Sequence, residues 1–304
     1  MPYMERDDFW IHVIKLLRPA EWTKTLLNMV IGSIGALYVL YGMEWSQHVD
    51  LGLFAYAFIA IGPLLWGGLY ALNDWTDWKK DKLHPVKKNR AIPSGKVHPN
   101  FAVILVKVVL ILAFLIGLHV SLLFFVCMIA MLLNQLMYTL KPFRLKERAF
   151  LDLVSGSMIN PFFRFYAGWV LFLPAFNAPL WLILMVVGGQ FGGYVIYRLA
   201  GKHHEKGLNY NSSVVVLGSH AIRVLAYAAM VLALLAFAYG VLFAPQQERW
   251  PLQLLWLVPL NLVFLPGYWS ALRNPQKMDL PNVYRLLYWN VLVLALAFIA
   301  LFLL

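Results

Sequence analysis

Long apolar runs, each closed by a short polar stretch, repeat along the whole chain and set its plan. They fall at about 25–43, 51–72, 101–119, 121–139, 150–173, 179–199, 214–243, 252–272 and 285–304. Each is long enough, as a helix rising 1.5 Å per residue, to cross about 30 Å of hydrocarbon. The pattern predicts an all-α polytopic membrane protein of nine transmembrane helices, bundled around a central cavity. The third and fourth helices are joined by a very short turn near His119, and the seventh is long enough to begin in the cytoplasm or to tilt strongly. Residues 1–304 are expected to form a single transmembrane domain without a soluble appendage. Residues 1–24 are polar and aromatic and lack the short apolar core of a cleavable signal, so the first span is expected to remain.

Composition agrees with that plan. Hydrophobic residues make up 62% of the chain and charged residues 13%, well outside the range of soluble domains. The Lys and Arg residues separate by loop. They gather in the N-terminal segment (Arg6, Lys15, Arg18, Lys24), between Lys79 and Lys96, between Lys141 and Arg148, at Arg198, Lys202 and Lys206, and from Arg273 to Arg285. The alternate loops hold one, Arg249. This is the positive-inside pattern. It places the N-terminus and the loops 73–100 and 198–213 in the cytoplasm and the C-terminus on the far side of a plasma- or inner-type membrane. The net charge of +11 is thus mostly topology, spread over short loops rather than in one basic stripe, and argues for anionic lipid or phosphate partners and not for nucleic acid. The single Cys127 excludes an intrachain disulfide and a cysteine metal cage.

Against a total of 14 acidic residues, three Asp fall within the eight positions 74–81. Asn73, Asp77 and Asp81 recur every four residues, and Asp74 lies three before Asp77, so a continuing helix stacks all four on one face. Like charges this close repel unless a cation sits among them. Hard oxygen donors of this kind favour Mg²⁺, which takes a few carboxylates together with substrate phosphates. The plain alternative is a solvated helix end neutralised by Lys79, Lys80 and Lys82. Ionisable residues inside spans are further candidates. Asp152 and Arg164 lie 12 apart on roughly one face of the fifth helix, with Arg164 expected either to reach a phosphate or to form a buried pair. Tyr138 and Lys141 close the fourth helix, as phosphate ligands or as interfacial anchors.

The run Asn73-Asp74-x-x-Asp77-x-x-x-Asp81-x-x-His84-Pro85-x-Lys87-x-x-Arg90-x-Ile92-x-Ser94-Gly95 resembles the first acidic motif of the UbiA prenyltransferase superfamily. Three stretches are similar to the branch that phosphoribosylates decaprenyl phosphate: Leu17-Arg18-Pro19-x-x-Trp22-x-Lys24, Tyr138-Thr139-Leu140-Lys141 followed by Asp152, and Arg164-Phe165-Tyr166-Ala167-Gly168. The resemblance implies an Mg²⁺-dependent transferase. Asn73, Asp74, Asp77 and Asp81 would hold the metal and the donor pyrophosphate. Lys87, Arg90, Lys141, Arg164, Arg198 and Lys202 would neutralise phosphate oxygens, and Lys24 and Tyr138 would join them in binding substrate. The implied donor is phosphoribosyl pyrophosphate and the acceptor a polyprenyl phosphate; the alternative is a prenyl diphosphate donor with an aromatic or other small acceptor.

Most prenyl-transferring members carry a second Asp cluster after the sixth helix. Here Tyr197-Arg198-Leu199-Ala200-Gly201-Lys202-His203-His204-Glu205-Lys206 contains no Asp. A basic stretch suits a phosphate held by cations. Glu205 is expected to be the counter-charge of its basic neighbours. Dry surroundings protect a cation-like reacting carbon from water, which a core rich in Phe, Tyr and Trp supplies. A transporter or channel, the remaining class, fits poorly with charge gathered in the cytoplasmic loops.

Overall fold

A computed structural model describes residues 6–83, 87–207, 210–273 and 280–303. The described chain is helical, with one isolated bridge between Arg148 and Asn211 and no strand among the described residues. A short α1 (Arg6–Leu16) leads into α2 (Trp22–Tyr41). α3 (Leu51–Asp81) is one long helix, widened by a π segment at Ala60–Trp66 around Pro63, whose ring cannot enter a regular ladder. α4 (Pro99–Val120) and α5 (Leu122–Thr139) follow, separated by Ser121, whose hydroxyl caps α5 through Phe124 N.

Seven helices among the described residues are long and apolar enough to cross a membrane. The expected fifth span is a continuous helix, α6 (151–169), widened by a π turn at Ser155–Ile159, and is not among those seven; the expected eighth span is not a single helix. α7 (Leu180–Gly207) and α8 (Gly218–Leu242) are continuous. The expected eighth span is split into α9 (Leu257–Leu262) and α10 (Leu265–Arg273), as its Pro259 and Pro266-Gly267 demand. α11 (Leu280–Leu303) closes the chain.

The helices carry two apolar faces, because both the core and the lipid accept hydrocarbon. On α4, Ala102, Val106, Val109, Ala113 and Gly117 are buried. On the opposite face Ile104, Val108, Ile111, Leu115 and Leu118 stand exposed at the same helical spacing. Lys107 is exposed on that outer side rather than aimed at the core.

α2 and α6 meet backbone to backbone. A Cβ on Gly168 would stand 2.1 Å from the Met29 carbonyl oxygen, and one on Gly32 would stand 2.1 Å from that of Phe165. The Ser33 hydroxyl donates to the Gly168 carbonyl at 3.0 Å. Gly168 therefore has a packing role in the Arg164–Gly168 stretch. Gly168→Leu should force the helices apart and cost about 3 kcal/mol, the upper end of overpacking. Thermal unfolding in detergent micelles checks this, and a wild-type melting point would refute the close contact.

Candidate active site

The acidic motif forms the last two turns of α3, not a loop, and α3 stays helical through Asp81. Its side chains are held by cations from three other segments. Arg90 Nη1 lies 2.9 Å from both Asp74 Oδ1 and Asp81 Oδ2, bridging two carboxylates seven residues apart. Lys146 Nζ bridges Asn73 Oδ1 at 3.0 Å and Asp77 Oδ2 at 2.5 Å. Arg18 bonds Asp74, Arg144 Nη2 donates to Asp77 at 3.1 Å, and Lys87 Nζ is 4.0 Å from Asp81. His84 and Pro85 of the motif lie outside the described residues.

Two of these arginines occupy backbone that side chains other than glycine rarely adopt. Arg18 has φ 52° and Arg144 φ 39°, and each opens a single 3-10 turn. Such conformations cost of the order of 1–3 kcal/mol apiece and gather at functional sites. Here both aim a guanidinium at an Asp of the motif. Lys146 is buried, which pushes its ammonium pKa down, while Asp77 pulls it back. Five cations face four carboxylates, Asp74, Asp77, Asp81 and the Glu147 that also holds Arg144 at 2.7 Å, leaving the site positive by one charge and suited to a polyanionic donor.

Among the described residues no three Asp, Glu, His or Cys side chains converge as they would round a single ion. The oxygens nevertheless fit a hard cation. Lys146 Nζ and the Arg90 guanidinium each act as a stand-in cation between two oxygen-bearing side chains. A divalent ion at either position would take two protein ligands and complete its shell from phosphates and water, which is the habit of Mg²⁺.

The remaining candidates divide into two groups. Lys24 donates to the buried Glu21 at 2.8 Å, and Arg164 lies beside them, its guanidinium 3.8 Å over the Trp66 ring. Tyr138 shares a 2.9 Å bond with Tyr194, which approaches so closely only because residue 156 is Gly. Arg198 is tied inward: 2.7 Å to the fully buried Asp152, 2.8 Å to Glu205 and 3.3 Å to the Lys146 carbonyl. Asp152 thus pairs with Arg198 and not with Arg164. Glu205 is not a solvated counter-charge; burial raises its pKa against the pull of Arg198, and it also takes the Ser212 hydroxyl. Lys202 donates to Ser219 at 2.9 Å, away from these carboxylates. Lys141 is exposed on the rim of a surface cavity of about 300 Å³ lined also by Arg144, Arg148 and Asn211. The structure brings Lys146, five residues on, to the position where Lys141 was expected.

Residues 33–292 match the UbiA prenyltransferase family. The chain belongs to that family. It is an integral-membrane transferase with the family's helical fold. The decaprenyl-phosphate phosphoribosyltransferase of Mycolicibacterium smegmatis is 27% identical over 201 residues, covering 64% of this chain and 56% of that protein. The match thus spans little more than half the length of that relative. The UbiA homologue from Archaeoglobus fulgidus bound to GPP and Mg²⁺ superposes with a TM-score of 0.75 over 96% of this chain and 98% of its own, at 17% identity. The same homologue bound to DMAPP and Mg²⁺ gives 0.75 over 95% and 97%, at 16% identity. At these identities the likeness is one of fold.

Proposed function

We propose that this transferase moves a 5-phosphoribosyl group from phosphoribosyl pyrophosphate to a polyprenyl phosphate, with its active site open to the cytoplasm. The observation that carries this reading is the segment after Arg198, where an Mg²⁺-binding cluster would stand in a prenyl transferase. Its one carboxylate, Glu205, is already taken by Arg198 and Ser212. A single acidic motif with surplus cations around it suits a donor rich in phosphate. The relative in Mycolicibacterium smegmatis, named for this reaction, supports the same reading.

In this scheme Asn73, Asp74, Asp77 and Asp81 would hold Mg²⁺ against the donor pyrophosphate, where it would supply positive charge to offset that building on the leaving group. Arg18, Lys87, Arg90, Arg144 and Lys146 then turn from the carboxylates towards the phosphate oxygens. An acceptor phosphate oxygen attacks C1 of the ribosyl ring as the bond from C1 to pyrophosphate oxygen breaks. Pyrophosphate leaves with the electron pair, and the surrounding cations stabilise it. Prenyl transfer is the second reading, favoured by the prenyl diphosphates bound in structures of the same fold.

Mass spectrometry of lipid products separates the two. With Mg²⁺, phosphoribosyl pyrophosphate and a polyprenyl phosphate, the expected product is the phosphoribosylated lipid. Product formed from geranyl diphosphate and none from phosphoribosyl pyrophosphate would replace this reading with prenyl transfer.

A further inference from the structure

Deeper in the bundle than the acidic motif lies a second polar cluster, and it is incomplete. Glu21, at the head of α2, and Lys24, Thr25 and Asn28 within it are spaced to line one face of the helix. Tyr70 and Trp66 precede Asp74 on α3 by one and two turns, and Arg164 comes from α6. The Tyr70 hydroxyl donates to Glu21 at 3.2 Å, and Arg164 Nη2 reaches Tyr70 at 3.5 Å. Asn28 accepts from Gln190 of α7, bringing a fourth helix to the cluster.

Glu21 is matched by Lys24, which leaves Arg164 the surplus charge. Arg164 is 4% exposed and has no carboxylate partner among the described residues. Its Nε is buried without a hydrogen-bond partner, and so are Thr25 Oγ1, Asn28 Nδ2 and Trp66 Nε1. A buried cation and several buried donors without acceptors are each costly. A compact anion with several oxygens would give Arg164 its counter-charge, and it is the ligand class that both a cation and neutral donors accept.

Tyr70 relates this cluster to the acidic motif. Arg18, which bonds Asp74, stacks 5.3 Å over the Tyr70 ring, while the Tyr70 hydroxyl belongs to the deeper cluster. An anion at Arg164 is therefore separated from a donor at Asp74 by one aromatic ring.

We infer that the Arg164 cluster is the seat of a phosphomonoester, the anionic head of the lipid acceptor. The inference rests on the phosphoribosyl-transfer reading and places the two substrates on opposite sides of Tyr70. A phosphate dianion needs no general base to attack C1, which suits a seat made of a cation and neutral donors. The same chemistry would accept the 5-phosphate of the donor. Depth in the bundle favours the lipid.

The test is calorimetric titration of the full chain in detergent, without Mg²⁺ or donor. Farnesyl phosphate should bind the wild type. Arg164→Gln should weaken it by about 30-fold or more, and Arg164→Lys should recover part of the loss. If Arg164→Gln does not fold, the Thr25→Val/Asn28→Leu double variant, which leaves the charge in place, should weaken farnesyl phosphate several-fold. Farnesol should not distinguish wild type from Arg164→Gln. Equal farnesyl phosphate binding in wild type and Arg164→Gln would overturn the inference. So would a loss confined to ribose 5-phosphate, which would give Arg164 to the donor. Turnover with geranyl diphosphate in place of phosphoribosyl pyrophosphate, alongside Arg164-dependent farnesyl phosphate binding, would remove the proposed reaction and leave the anion seat standing.

Discussion

Asp77→Ala should lower turnover by at least about 100-fold while the protein stays folded. Asp77 is the centre of the motif. It is bonded to Arg144 and Lys146, and through Lys146 it is joined to Asn73. Its loss would remove a ligand from the proposed metal position and leave two cations to collapse on their remaining partners. A single preorganised electrostatic contact is typically worth about 10²–10³ in rate, and this one serves two functions. The side chain sits near the helix end and is 14% exposed, and a melting curve taken beside the rates separates lost chemistry from lost fold. EDTA should silence the wild type to a similar degree, and added Mg²⁺ should restore it. Undiminished turnover in EDTA would sink the metal assignment whatever Asp77→Ala does.

The motif was legible because its chemistry is local. Four residues at spacings of one, three and four on one helix need no knowledge of the rest of the chain to be put on one face. Its partners were not legible in the same way. Arg144 and Lys146 sit among the basic residues of a cytoplasmic loop, where charge is already explained by topology. Which of Lys141, Arg144, Lys146 and Arg148 turns inward depends on the left-handed residue at Arg144 and on the Arg198 bond to the Lys146 carbonyl. Neither leaves a mark on hydropathy. Arg18 was visible only as part of a resemblance. Its placement needs the left-handed turn before Pro19.

The broken span tells a related story. Apolar length alone predicts continuous helices at 150–173 and 252–272. The proline content of the second was a signal that the length argument overrode. The first is continuous over 151–169, but its π turn, which precedes Arg164 and shifts where that side chain projects, leaves no mark on hydropathy. Glu21 was missed for the opposite reason. One acid at the edge of a span looks like a solvated residue, and only the fold shows it buried against Lys24 and Tyr70.

Asp152→Ala should be the most destabilising single change outside the helix contacts. Asp152 is fully buried and accepts from Arg198, from Ser213 N at 3.2 Å and from the Ser213 hydroxyl. Removing it leaves Arg198 with Glu205 alone and takes the acceptor from Ser213, a loss approaching the roughly 3–5 kcal/mol of a broken buried pair. Replacing both partners is different. In an Asp152→Leu/Arg198→Met double variant no charge is left uncompensated at that spot, and most of the stability should return. Glu205 does not spoil the rescue. Burial raises its pKa against the pull of Arg198, so removing Arg198 lets it rise further, and the Ser212 hydroxyl still donates to it. Activity should not return with stability. Arg198 also holds the Lys146 carbonyl, and Lys146 supplies the ammonium between Asn73 and Asp77. The double variant should therefore melt near the wild type but turn over slowly, with its Mg²⁺ requirement unchanged. Denaturant melts and initial rates on the single and double variants decide the matter. A double variant no more stable than Asp152→Ala would show that the hydrogen bonds to Ser213, rather than the ion pair, hold this corner of the bundle.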